Sequence, residues 1–205
     1  MKTIRVFTIR IIVLTQVLTA QAYAGETARH EGLVVGFQSG YGHLQLHSDQ
    51  AGDATSGTFS LGFQGGYSVT PRAIVGMEVG GWLLEPYSFD AHGDEEERGE
   101  SVSNTMLFLH AFPVKRLPVY MRFAVGYTYY KNNHPDKHNG SGWGSWLIGG
   151  GYEIRASDRF FIAPQVSYGH GDISDVPRIL WLETGRRYDV IDFSVAVHWY
   201  SGVIK

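Results

Sequence analysis

Residues Thr58 to Leu84, TFSLGFQGGYSVTPRAIVGMEVGGWLL, change character at every second position. Phe59, Leu61, Phe63, Tyr67 and Val69 share one parity, and Ala73, Val75, Met77, Val79 and Leu83 carry it on after an interruption. The opposite parity holds Thr58, Ser60, Gly62, Gln64, Gly66 and Ser68, then Ile74, Gly76, Glu78 and Gly80. A period of two belongs to a strand, whose successive side chains leave on opposite faces; a helix would group them at 3.6. Thr70-Pro71-Arg72 breaks both runs and predicts a tight turn. The stretch therefore predicts a β-hairpin with one oily face and one face of small or polar residues.

The same alternation recurs along the chain. Predicted strands cover Gly32–Leu46, Val102–Phe112, Val119–Tyr130, Trp143–Arg155, Arg159–Tyr168 and Tyr188–Tyr200. In the first, Leu33, Val35, Phe37 and Tyr41 oppose Gly36, Gln38, Gly40 and Gly42. In the last, Ile191, Phe193, Val195, Val197 and Trp199 oppose Asp192, Ser194, Ala196 and His198. The facing of Val102–Phe112 stays open, because Met106/Phe108/Phe112 and Leu107/Leu109/Ala111 are both apolar. Long connections (His47–Gly57, Glu85–Ser101, Lys131–Gly142, Gly169–Arg187) alternate with short ones (Thr70–Arg72, Pro113–Pro118, Ala156–Asp158). Eight strands with that alternation predict an all-β fold, an eight-stranded antiparallel up-and-down transmembrane β-barrel over residues 32–200. A polar lead-in (25–31) and a C-terminal tail (201–205) flank it.

The N-terminus reads as a secretory signal over residues 1–24: basic Lys2, Arg5 and Arg10, an apolar run from Ile11 to Leu18, and a cleavage site at Ala22-Tyr23-Ala24. An uncleaved anchor helix is the alternative, but the apolar core is short for the ~20 residues of a span. Losing three basic residues takes the formal charge from −3 to about −6, which argues against a nucleic-acid partner. The chain has no cysteine, so an exported domain must be held without disulfides. Its 26 glycines, 12 tyrosines and 5 tryptophans, with export and alternation, suggest a bacterial outer-membrane barrel.

Alternation alone does not say which face is outside. A soluble lipocalin-like barrel would turn its apolar face inward around a ligand. Its exterior would then be the glycine, serine, threonine and glutamine face, which carries few of the charges a solvated surface needs. Lipid on the oily face is the better fit, with Tyr67, Phe160, Tyr129 and Trp143 near strand ends as an interfacial girdle. In hydrocarbon each unpaired backbone polar group costs several kcal/mol, so the sheet must close. Eight strands leave a lumen just wide enough for side chains, and no continuous water pore is expected.

The segments GLVVGFQSGYG, YSVTPRAIVGMEVGGW, VYMRFAVGYTYY and SDRFFIAPQVSYG resemble small bacterial outer-membrane β-barrel proteins of the OmpA/OmpX type. The likeness is nearest to the outer-membrane β-barrel domain proteins and covers nearly all of residues 32–200. It implies a fold and no particular activity. Members of such families commonly end on an aromatic residue that the assembly machinery reads; Trp199 and Tyr200 match, and five residues follow them here.

Four inward residues, Glu78, Arg122, Glu153 and His198, fall toward the turn end of their strands. Buried charges need partners, so these four are expected to form a structural charge network that fills the lumen; a proton or ion path is the functional alternative. Asp94-Glu95-Glu96-Glu97 lacks the ligand spacing of a calcium loop and reads as a solvated loop, with cation bridging to lipopolysaccharide as its functional alternative. His134 and His138 lie in a loop broken by Pro135 and Gly140 rather than on a helix, which disfavours a metal site. Ile179, Leu180, Trp181 and Leu182 are apolar for an extracellular loop: they extend the flanking strands as a hairpin, or they form a surface-interaction patch.

Some outer-membrane barrels are lipid A deacylases, whose pattern resembles a His-x-Ser pair with an acid. The nearest set here is Ser167, His170 and Asp172, and three-residue spacing puts Ser167 and His170 on opposite faces. No catalytic, cofactor or metal residue is therefore assigned. The expected function is envelope-structural or surface-interacting through four extracellular loops; a lipid-modifying enzyme is the alternative. Expected partners are outer-membrane lipid and lipopolysaccharide, and the barrel-assembly machinery through the C-terminal strand, with the protein a monomer.

Overall fold

The structure is a computed structural model that describes residues 29–48, 53–84, 100–114, 117–132, 140–173 and 186–204. Its strands are β1 (Arg29–Ser48), β2 (Ala54–Thr70), β3 (Ala73–Leu84), β4 (Glu100–Ala111), β5 (Val119–Asn132), β6 (Gly140–Tyr152), β7 (Ile154–Arg155), β8 (Phe160–Asp172) and β9 (Arg186–Ile204). All neighbours run antiparallel in the order β6-β5-β4-β3-β2-β1-β9-β8-β7, and a further β6–β8 pairing closes the ring. β6 and β7 are one stave interrupted at Glu153, whose N–H donates to the Pro118 carbonyl at 2.7 Å. The barrel therefore has eight staves and no open edge, the condition hydrocarbon imposes on a sheet.

The oily parity faces outward. Phe63, Leu107 and Phe193 are 66%, 61% and 65% exposed, while their chain neighbours Gln64, Phe108 and Ser194 are buried. An apolar exterior of this extent is untenable in water and natural in lipid. This excludes the soluble, ligand-filled barrel. It also fixes the facing of β4: Met106, Phe108, His110 and Phe112 point inward, and Leu107 and Leu109 outward.

Three irregularities adjust the register, one of them between Ser68 and Thr70 beside the β2–β3 turn. Gly126 faces Ser145 and Tyr127 faces Trp143, which leaves Gly144 as the extra residue of β6. Its φ of +90° is one that side-chain-bearing residues rarely adopt. The extra residue lets Trp143 and Trp146, three apart, both face outward. At the other seam, Glu31 faces Gly202 and Val34 faces Tyr200, with Gly32 at φ +78° in the bulge. The Leu33 N–H there donates to Ser201 Oγ at 2.8 Å. The lead-in and tail assigned from sequence are thus partly strand: Arg29, His30 and Glu31 pair with Ile204, Val203 and Gly202.

The turns match their sequences. Thr70 pairs with Ala73 around Pro71-Arg72, and the Arg72 N–H donates to Thr70 Oγ1 at 3.2 Å. Between β7 and β8, Ser157 Oγ accepts from the N–H groups of Arg159 and Phe160, and Arg155 pairs with Asp158 at 2.6 Å. β4 to β5 is the third short connection.

Candidate functional site

The lumen is layered. At the end with the long connections, Leu44, Trp82, Leu84, Val102, Tyr130, Ile173, Tyr188 and Val190 form an apolar cluster. The Trp82 and Tyr188 rings pack 5.8 Å apart within it. Beneath it, Thr128 Oγ1 lies 2.6 Å from Asn104 Oδ1 and 2.6 Å from Ser145 Oγ. A hydroxyl has one proton, so Thr128 donates to the amide and accepts from the serine.

The middle layer is built on Arg122 of β5. Its Nη2 donates to Glu78 Oε2 of β3 at 2.5 Å, and its Nη1 donates to Gln38 Oε1 of β1 at 3.1 Å. Gln38 also accepts from Gln165 Nε2 at 2.6 Å, and Gln165 Oε1 accepts from the Tyr120 hydroxyl at 2.7 Å. Side chains from β1, β3, β5 and β8 thus cross the lumen in one hydrogen-bonded layer. Each sits there because strand parity turns it inward, and the stagger of the barrel brings the four to one height.

At the turn end the lumen is aromatic. His110 stacks on Tyr120 at 4.8 Å and leans on Phe108 at 4.6 Å. Phe161 meets Tyr200 edge-on at 5.2 Å. Within this layer His198 Nδ1 lies 2.9 Å from Glu153 Oε1, which also accepts from the Tyr200 hydroxyl at 2.5 Å. The four inward residues singled out from sequence therefore stand as two separate pairs, Arg122–Glu78 and His198–Glu153. The rings of Tyr120 and His110 lie between them, with Tyr120 6.1 Å and His110 5.9 Å from His198. Reading the inward face as mostly small and polar missed this aromatic filling. Tyr120, Tyr130, Phe161, Tyr188 and Tyr200 carry the inward parity in the sequence, so the signal was there.

A second polar cluster lies on the outside of the barrel at the loop end. Asp189 of β9 accepts from the Tyr168 hydroxyl and lies 3.0 Å from His170 Nδ1, both on β8. His47 of β1 reaches Asp189 Oδ2 with Nε2 at 3.3 Å and Asp53 Oδ1 with Nδ1 at 2.9 Å. Trp146 packs on the rings of Tyr168 and His170 at 5.5 and 5.8 Å. Amphipathic rings with polar tips at this height suit a headgroup layer.

Ser167 is buried inside the barrel, whereas His170 faces outward. The wall separates the serine and histidine that came nearest to the deacylase pattern, so no nucleophile–base contact forms between them. Asp94 to Glu97, His134, His138 and the Ile179–Leu182 patch lie outside the described residues. Among the described residues, no group of three or more histidine or acidic side chains is placed to hold a metal ion.

A closed ring of eight antiparallel staves, oily without and packed within, is the architecture of the small outer-membrane β-barrel proteins, and the chain has that fold. Among solved structures it resembles Neisserial surface protein A, with a TM-score of 0.51 and 13% identity over 85% of this chain and 99% of that one. The attachment invasion locus protein of Yersinia pestis gives 0.47 and 12% over 82% and 99%. The outer-membrane protein AlkL gives 0.47 and 16% over 87% and 92%. No family model matches the sequence, and no curated protein does.

Proposed function

We propose that the protein is a non-conducting barrel of the bacterial outer membrane that acts through its surface, as an envelope-structural or surface-interaction protein. The observation that carries this reading is the Arg122–Glu78 bridge across the lumen, with a stack of aromatic rings on one side and an apolar cluster on the other. Glu78, Arg122, Glu153 and His198 serve as structural filling: paired charges brace the wall and leave no continuous aqueous path.

The chain is exported through the Sec route with the leader removed after Ala24, and β9 presents the assembly signal. The long connections face the exterior, where specificity resides, and residues 179–182 are the candidate contact among them. Lipid surrounds the monomer on all sides, and the His47–Asp189–His170 cluster meets the polar heads of lipopolysaccharide. Separation of Ser167 from His170 by the barrel wall supports interaction over catalysis.

Planar-bilayer recording on the purified protein tests the lumen. Steady single-channel openings of porin size would overturn the plugged reading; a silent baseline is expected. Incubation with lipid A tests the chemistry. Wild-type protein is expected to leave it intact, and hydrolysis abolished by Ser167→Ala would establish the enzyme instead. Shortening the four long connections is expected to leave a heat-modifiable barrel that no longer binds lipopolysaccharide; undiminished binding would contradict the surface role.

A further inference from the structure

The bridge to Glu78 and Gln38 uses only part of the Arg122 guanidinium. Nη2 donates to Glu78 and Nη1 to Gln38, while Nε is buried without a hydrogen-bond partner. Asp192 of β9 has the opposite need. It is 3% exposed, and its Oδ1 also meets no partner among the described residues, so the two atoms do not meet each other. A buried donor or acceptor left bare forfeits its hydration with nothing in return, and a bare carboxylate forfeits the most.

Both residues line one cavity of about 20 Å³, set between the middle layer and the loop-end cluster. That volume suits a single water. Ser60 of β2 and Trp82 of β3, opposite each other in the ladder, line it too. The Ser60 hydroxyl and the Trp82 indole nitrogen are likewise buried without a partner. Four unmet polar groups from four staves therefore border one water-sized space. Arg122 and Trp82 bring N–H donors, Asp192 brings an acceptor, and the serine hydroxyl can be either. Glycine makes the room: Gly80, also in the lining, faces Gly62 on β2, so neither strand sends a side chain inward at that height.

We propose that this cavity binds one structural water, which couples Arg122 to Asp192. The N–H groups of Arg122 and Trp82 donate to its two lone pairs. Its two protons go to Asp192 Oδ1 and Ser60 Oγ. All four hydrogen-bonding positions of the water are used, and two to four are what hold a buried water in place. A cation does not suit two inward N–H groups. A halide would set a further negative charge beside the carboxylates of Glu78 and Asp192. The guanidinium thus serves Glu78 directly and Asp192 at one remove, and the water ties β2, β3, β5 and β9 together.

The test is nuclear magnetic resonance of the isotope-labelled mature barrel in detergent micelles. The Trp82 indole N–H, assigned through Trp82→Phe, is expected to show a cross-peak at the water frequency. Its sign should reverse in the rotating frame, which separates a bound water from proton exchange. The peak should persist in Ser60→Ala, where three partners remain; its loss there would trace it to the serine hydroxyl and overturn the assignment. A high-resolution crystal structure should show one ordered water within hydrogen-bond distance of both Arg122 Nε and Asp192 Oδ1. Urea unfolding reads the coupling. Trp82→Phe and Asp192→Asn remove groups that share only the water, so the double variant should lose less than the two singles combined. The difference is expected to be about fivefold in the folded-to-unfolded ratio. If Asp192→Asn fails to fold, Ser60→Ala takes its place in the cycle. No contact between Trp82 and water, an empty cavity in the crystal, or strictly additive effects would each overturn the proposal. So would a crystal structure in which Arg122 Nε meets Asp192 directly.

Discussion

Replacing Arg122 by alanine removes the cation on which the middle of the lumen depends. The side chains of Arg122 and Glu78 are 3% and 10% exposed, so the pair is desolvated and does not behave as a surface bridge. Arg122→Ala leaves the Glu78 carboxylate buried beside no positive charge and takes one donor from Gln38. Breaking a buried pair from one side costs about 3–5 kcal/mol. At about 1.4 kcal/mol per decade, the folded-to-unfolded ratio should fall by roughly 10²- to 10⁴-fold. Urea titration of the barrel in phospholipid vesicles, followed by tryptophan emission and by heat-dependent gel mobility, measures it. The companion Glu78→Gln removes the stranded charge, so the double variant should be more stable than Arg122→Ala alone. Replacing both members by apolar residues of similar volume should recover most of the loss, since a buried pair gains little over good packing. The bilayer baseline should stay silent in Arg122→Ala, because the layers above and below are untouched. Equal stability of wild type and Arg122→Ala, or a double variant no better than the single, would refute the lumenal bridge as a structural element.

Phe193→Arg, on the lipid face, should cost about 2–4 kcal/mol in bilayers if it lies near the midplane, whereas a water-facing site would tolerate it; vesicle unfolding midpoints decide. Gly144→Ala should lower stability by about 1–2 kcal/mol through backbone strain alone, because a Cβ there would meet nothing within 4 Å; an unchanged midpoint would contradict the bulge. Tyr120→Phe should cost about 1 kcal/mol by taking the donor from Gln165 Oε1, and a Gln165→Leu background should erase the difference.

The outer face was legible because lipid asks the same thing of every outward position. Phe59, Leu61 and Phe63 on β2 and Phe193, Val195 and Val197 on β9 answer to one solvent, so parity alone assigns them. The lumen asks for something different at each height. Met106, Phe108 and Phe112 are as apolar as Leu107 and Leu109, and they turn inward because Tyr120, Phe161 and Tyr200 arrive from other strands at the same level. That meeting depends on the stagger between staves, which no single strand reveals. The same limit hid the separation of the charges into two pairs, although all four residues were read as inward. The bulge at Gly144 did leave a mark: Trp143 and Trp146 at odd spacing cannot share a face unless a residue is added between them. The pairing of Arg29–Glu31 with Gly202–Ile204 was invisible because those residues show no apolar alternation.

The seam between β1 and β9 joins the first described strand to the last, from Arg29 opposite Ile204 onward. Ring closure therefore waits until β9 meets β1, and the hairpins between them carry a bare edge until then. Until the seam forms, the oily staves lack the shelter of a closed ring, and the unfinished sheet is open to misassembly.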